Sequence, residues 1–307
     1  MMTNQTEDYL DYLTASGRRP STIRTYRSQI GICIEALSKA GMETDAHRIG
    51  EDEIYYLVRT LDMGESTARD YIMSLGGMME YYTGISLVKR MKILWNRPVR
   101  HRVFITTDDF VKMYSIADDR EKVILVLGAF MGLRRNEMQT IRLEDIRRDR
   151  ILIHGKGHGR DGLVYEQPMP IEVKQIIDRY LVWRKALRGN DLSEGRLLVW
   201  FDKSHNRINR FADRSGRLTD IVRNLGERVG VTVTCHSLRR LFCTNLYYGI
   251  DGEGGADLVI VRDLMRHASV DTTLNCYINV RDQEKDQAVR RFGAKMGSLL
   301  NMNKCIT

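Results

Sequence analysis

The sequence predicts a mostly helical protein, with an all-α unit followed by a mixed α+β unit that carries a small antiparallel sheet. Three observations lead there. Apolar residues recur at helical spacing from residue 7 to about 95, with no strand signal. The segment Trp95-Asn96-Arg97-Pro98-Val99-Arg100-His101-Arg102-Val103 then breaks the period and holds one of only four prolines. Beyond it, two short β-prone runs flank a glycine-rich turn, which is the pattern of a hairpin. The break sets the expected boundary, giving a helical unit 1–98 and a second unit 99–307.

Each element has a local cause. Pro20-Ser21 opens a helix, since proline tolerates the first helical position, and Ile23, Tyr26, Ile30, Cys33, Ile34 and Leu37 follow at helical spacing before Gly41. Glu53 to Leu61 and Ser66 to Tyr82 continue the pattern, with Ser66 or Thr67 as candidate N-cap. The result is a four-helix-like unit. After the break, Thr106-Thr107-Asp108-Asp109 offers side-chain oxygens to the free N–H groups of a helix start. Val123 to Met131 is a candidate buried helix, and Arg150–His154 with Leu163-Val164-Tyr165 form the expected hairpin. Ile171 to Leu187 and Leu218 to Val229 read as amphipathic helices. Thr234 is placed to cap a helix carrying His236 and Arg239, and Leu258 to Met265 forms another helix after the loop 251–255. In the tail 282–300, Val289, Phe292, Met296 and Leu299 again fall at helical spacing.

Composition narrows the class. No stretch approaches the ~20 consecutive apolar residues that span a bilayer, and the polar, acidic start Met1 to Asp8 is no secretory signal. Five scattered cysteines (Cys33, Cys235, Cys243, Cys276, Cys305) without a C-x-x-C pair point to a reducing cytoplasm rather than a disulfide or zinc framework. The net charge of +8 fits a polyanionic partner. Arginine outnumbers lysine 36 to 12, and its planar fork matches phosphate oxygens two at a time. High genomic GC content would also enrich arginine, so the excess serves only as support.

The chemistry-bearing residues form an ordered set. Arg134 and Glu137 follow the apolar run, Lys156 sits in the Gly155-Lys156-Gly157 turn, His236 and Arg239 share a helix face, and His267 precedes Tyr277 by ten residues. Glu137 stands three residues after Arg134, on the same face of an expected helix that carries both, and could hold a neighbouring basic group in place. Taken singly these are ordinary: R-x-x-E is usually a surface ion pair, H-x-x-R recurs by chance, and Gly-Lys-Gly is a basic turn. Together they suit attack on a phosphodiester by a tyrosine, with fixed cations neutralising the non-bridging oxygens. There is no H-E-x-x-H, C-x-x-C or D-x-D pattern for a metal, and no cofactor motif.

At these residues the chain resembles the tyrosine recombinase (phage integrase) family. Leu133-Arg134-Arg135-Asn136-Glu137 with Leu143-Glu144-Asp145-Ile146 is similar to its first-arginine motif. Lys156 looks like its hairpin lysine. His236-Ser237-Leu238-Arg239, Leu264 to Ser269, Thr272-Thr273 and Tyr277 look like its C-terminal motifs. Ser21 to Tyr26 is similar to the start of the family's helical core-binding domain. The resemblance implies that Tyr277 forms a 3′-phosphotyrosyl link and frees a 5′-hydroxyl, with no metal, ATP or other cofactor. It further implies that Arg134 and Arg239 clamp the phosphate, Lys156 protonates the leaving oxygen, His236 assists as base and His267 donates to the phosphate. The implied partner is double-stranded DNA with a specific attachment site, held in a C-shaped clamp by a homotetramer, with accessory DNA-bending proteins left open.

Two positions depart from the family's commonest pattern: Arg240 stands where His is frequent, and Arg266 stands where Gly usually precedes the last His. The gap from His267 to Tyr277 is also ten residues where many members have nine, though both lengths occur. Tyr247-Tyr248 is a rival nucleophile, although aromatic residues in an apolar helix more often pack in a core. A relaxing topoisomerase or telomere resolvase would share the site, and a DNA-binding protein could keep the fold without the reaction. The complete set of six polar positions argues against that last alternative.

Overall fold

The computed structural model describes residues 4–93, 95, 103–155, 163–211, 216–250, 255–267, 269–270, 273–274, 289–290, 292–293 and 296. The chain divides into two compact units that meet in sequence between residues 101 and 102. The expected basic connection at 96–102 lies outside the described residues, whereas Trp95 packs against the core of the first unit.

The first unit is helical: α1 (Asn4–Ala15), α2 (Pro20–Lys39), α3 (Glu51–Thr60), α4 (Glu65–Thr83) and the short α5 (Leu87–Arg90). In α2 the buried residues Ile30, Cys33, Ile34 and Leu37 form one stripe, so the helix is held by that face rather than by propensity. They meet Ile54 and Leu57 of α3 and Ile72, Leu75 and Met78 of α4. Each such residue contributes about 1.5–3 kcal/mol of transfer free energy. The N-cap expected at Ser66 or Thr67 lies earlier, at Gly64, whose carbonyl accepts from Thr67 and Ala68. The capping hydroxyl was therefore not needed to start the helix.

The second unit begins with α6 (Thr107–Ile116), capped as expected by Thr106 and Asp109 exchanging hydrogen bonds. In α7 (Asp119–Ala129) every residue from Val123 to Ala129 is buried, so the helix is apolar all round and forms the axis of the unit. Helices α9 (Ile171–Ala186) and α11 (Cys235–Tyr248) pack against it, as do α8 (Arg135–Thr140) and α10 (Arg217–Glu227). The predicted hairpin is present: β1 (Arg150–His154) pairs antiparallel with β2 (Val164–Pro168) in the register Ile151 to Gln167 and Ile153 to Tyr165. A second sheet, unforeseen in the sequence, comprises β3 (Asn190–Leu192), β4 (Val199–Asp202) and β5 (Arg207–Arg210) in the order β3-β5-β4. Thr234 caps α11 by accepting from the Ser237 N–H at 3.0 Å. Helix α12 (Leu258–Leu264) packs on α11 through Val261, Met265 and Cys243, a small cluster beside the main core.

Candidate active site

Four of the six predicted residues are described: Arg134, His236, Arg239 and His267. Lys156 and Tyr277 lie outside the described residues. The four come from three distant stretches of the chain, and a buried carboxylate, Glu137, pairs with a guanidinium from each of those stretches.

Arg134 is not inside a helix, as the sequence suggested, but extended at the N-cap of α8. The reason is Gly132. After α7 ends, Leu133 N–H reaches back to the Leu127 carbonyl and Gly132 turns through φ +60°. A side chain there would be strained, and its Cβ would lie 2.4 Å from the Phe242 ring. The turn aims the Gly132 carbonyl inward and starts α8 in a new direction. Arg134 N–H donates to Glu137 Oε2 at 2.8 Å, and its guanidinium donates to Glu137 Oε1 at 2.7 Å and to the Arg266 carbonyl at 3.0 Å. With 31% of its side chain exposed, Arg134 keeps an open edge.

Arg239 is wholly buried, at 0% exposure. It sits one turn along α11 from His236 and donates to the carbonyls of Gly132 and Met265 and, at 3.0 Å, to His267 Nε2. His236 is exposed at the start of the same helix. Because Arg239 donates to Nε2, the proton of neutral His267 resides on Nδ1, which faces the buried Thr273 hydroxyl at 2.8 Å. Burial, reinforced by Arg239, Arg134, Arg266 and His236, pushes His267 down to about 3. The imidazole is thus neutral at physiological pH. Burial acts to raise Glu137, but Arg266, the Arg134 amide and two further guanidiniums outweigh it and hold the carboxylate below its usual range.

The similarities agree with this geometry. The family model described as "Phage integrase family" matches residues 103–284, more than half of the chain. The chain belongs to the phage integrase family. It is 25% identical to tyrosine recombinase XerA of Pyrococcus horikoshii over 290 residues, covering 93% of this chain and 92% of that one. With tyrosine recombinase XerD of Mycobacterium tuberculosis it shares 26% over 301 residues, covering 88% and 91%. Among solved structures it resembles a lambda integrase(75-356) dimer bound to a COC' core site, with TM-score 0.67 and 16% identity over 92% of this chain and 97% of that one. The XerH site-specific recombinase bound to difH substrate gives TM-score 0.62 at 20% identity, over 94% and 84%. The fold is that of the integrases.

Both positions that depart from the family's common pattern have structural employment. Arg240 donates to the Val103 carbonyl at 3.0 Å and lies over the Phe104 ring, fastening the start of the second unit to α11. Arg266 occupies φ +54°, the left-handed region that explains why glycine is usual there, and its side chain is buried against Glu137, Gly132 and Gln167. Tyr247 and Tyr248 are half-buried, in edge contact with each other at 4.8 Å and packed on the Cys243–Val261–Met265 cluster. They follow Arg239 by eight and nine residues, about 12–14 Å along the helix axis. Two contributors were missed from sequence: Gln167, a polar residue at an inward position of β2, and the Gly132 carbonyl. Gln167 lies two residues beyond the strand-like run 163–165, on the same face as Tyr165 by strand alternation, and that spacing was the available signal for the first.

Proposed function

We propose that this chain is a site-specific DNA recombinase that exchanges phosphodiester bonds through Tyr277, and that its partner is duplex DNA carrying a specific attachment site. The convergence of Arg134, Arg239 and His267 on one point of the second unit carries the reading, because fixed cations there replace a metal as the stabiliser of a five-coordinate phosphorane. The phenol oxygen of Tyr277 bonds to phosphorus while the bond to the 5′ oxygen breaks. The result is a 3′-phosphotyrosyl link and a 5′-hydroxyl that takes up the proton from Lys156. Attack by a second 5′-hydroxyl reverses the step on another strand, so the ester is exchanged, not hydrolysed, and no energy source is consumed. His236 accepts the phenol proton, whose ordinary pKa of ~10 makes unaided attack slow at neutral pH.

The buried pose of Arg239 adds a requirement. Its N–H groups serve the Met265 carbonyl and His267, so an entering phosphate takes the place of those acceptors. The phosphate's negative charge then favours protonation of His267, whose Nε2 turns from acceptor to donor. Residues 1–98 grip the duplex, and four copies assemble on paired sites, since four strands are broken. The reading places the chain in a cytoplasm; among the described cysteines Cys33, Cys235 and Cys243 are buried free thiols.

The test is a nicked suicide substrate that traps the covalent complex on a denaturing gel. The wild-type chain gives the complex in EDTA, and Tyr277→Phe abolishes it while DNA binding stays near wild type. Persistence in the Phe variant would move the nucleophile to Tyr247 or Tyr248. Absence of any complex with the wild type, on the site flanking its gene, would overturn the enzyme reading.

A further inference from the structure

We infer that Arg266 is a positioning residue for phosphodiester exchange: its buried guanidinium ties together the turn before Arg134, the hairpin strand β2 and the His267 segment, and takes over part of the charge of Glu137. The inference rests on the recombinase reading above.

The geometry is that of a tie between three motif segments. One terminal nitrogen of Arg266 donates to Glu137 Oε2 at 2.8 Å and to the Gly132 carbonyl at 3.1 Å. The other donates to Gln167 Oε1 and to the Leu264 carbonyl. Gln167 in turn donates to the Met131 carbonyl at 3.0 Å, so the hairpin is held to the turn that presents Arg134. Both partners of the ion pair are nearly fully buried, at 2% and 4% side-chain exposure. A planar fork of donors can serve four acceptors at once; an ammonium cannot match that geometry.

Charge balance supplies the second argument. Glu137 is the one carboxylate that the described residues place among these cations, and three guanidiniums share it: Arg134, Arg239 at 3.9 Å and Arg266. Were residue 266 a glycine, Glu137 would draw wholly on Arg134 and Arg239, and the cluster would carry one positive charge fewer. With Arg266 present, more of the potential of Arg134 and Arg239 remains for an incoming phosphate. The side chain's bonds also compensate a backbone conformation, φ +54°, that a non-glycine residue ordinarily avoids. His267, the next residue, feels the same cation. The charged and titratable groups facing it are Arg239 and His236 from α11, Arg134 ahead of α8, and Arg266 itself.

The experiment compares wild type, Arg266→Gly and Arg266→Lys on the nicked suicide substrate, with single-turnover cleavage, DNA affinity and the NMR titration of His267 as readouts. Glycine relieves the backbone, so the variant isolates the side chain. Cleavage by Arg266→Gly is expected to fall at least tenfold with affinity within about threefold, and His267 to titrate higher as the cation is removed and water gains access. Arg266→Lys keeps the charge but not the fork; it should restore the low titration of His267 yet recover cleavage only in part. Should the glycine variant fail to fold, the lysine variant alone decides: wild-type cleavage in it overturns the tie. Wild-type cleavage and an unmoved His267 in Arg266→Gly overturn the inference too. A wild-type chain that cleaves nothing would fail the recombinase reading instead, and the two failures are thereby distinct.

Discussion

His267 is held neutral by position rather than by its own chemistry. Burial and the surrounding guanidiniums lower it to about 3, against ~6.5 in an unfolded chain. Between those values the unfolded state binds a proton that the folded state refuses, so stability falls as pH falls from about 6.5 toward 3. From pH 7 to pH 5 this one residue should remove about 1–2 kcal/mol. In urea titrations at both pH values, His267→Asn should lose less stability on acidification than wild type by that amount, whatever its level at pH 7. Parallel losses in the two proteins would mean that His267 is not depressed. Glu137 adds the opposite kind of case: a carboxylate lowered in the fold gives stability above its unfolded pKa and gives it up only at lower pH still.

Among the elements, the turn between α7 and α8 does the most to build the site, and it also shows what a sequence can and cannot disclose. The helical stripe of α2, the β1–β2 hairpin, the Thr106 and Thr234 caps and the all-round apolar α7 were readable because each is specified within its own few residues. The extended pose of Arg134 was not, because it depends on Phe242 standing where a Cβ on residue 132 would go and on the Leu133-to-Leu127 bond. Arg266 was opaque for the same reason: its partners Glu137 and Gln167 are 129 and 99 residues away. The strands β3, β4 and β5 are only three or four residues long, too short for a period to register. Gly132→Ala should therefore destabilise the protein by about 1–3 kcal/mol, from the left-handed backbone and the displaced Phe242 ring. It should also slow cleavage, since the carbonyl that holds Arg239 and Arg266 would move. Urea unfolding checks the first; a change below about 0.5 kcal/mol, within the range of an ordinary surface substitution, would show that the turn tolerates a side chain.

At the scale of the whole molecule, each unit owns a core. The first packs Ile30, Ile54, Ile72 and Leu75 among its helices, and the second surrounds α7 with Val173, Ile177, Leu238 and Leu241. Separate cores mean that the second unit should fold without the first. The net charge of +8 is unevenly placed: residues 1–98 hold 12 Lys and Arg against 13 Asp and Glu, and residues 99–307 hold 36 against 27, so the excess that suits a polyanion lies in the second part of the chain. Each phosphate contact releases condensed cations, so log K against log [salt] should fall with a slope of about −0.9 per contact. If residues 1–98 grip DNA, deleting them removes their contacts: binding weakens, the slope flattens, and the remaining chain still forms the Tyr277 complex on a suicide substrate at high protein concentration. Fluorescence anisotropy across a salt series measures both quantities on one duplex. A truncated chain that binds as tightly as the full one, with an equal slope, would leave the helical unit without a DNA-gripping role, and recognition would then rest with the second unit alone.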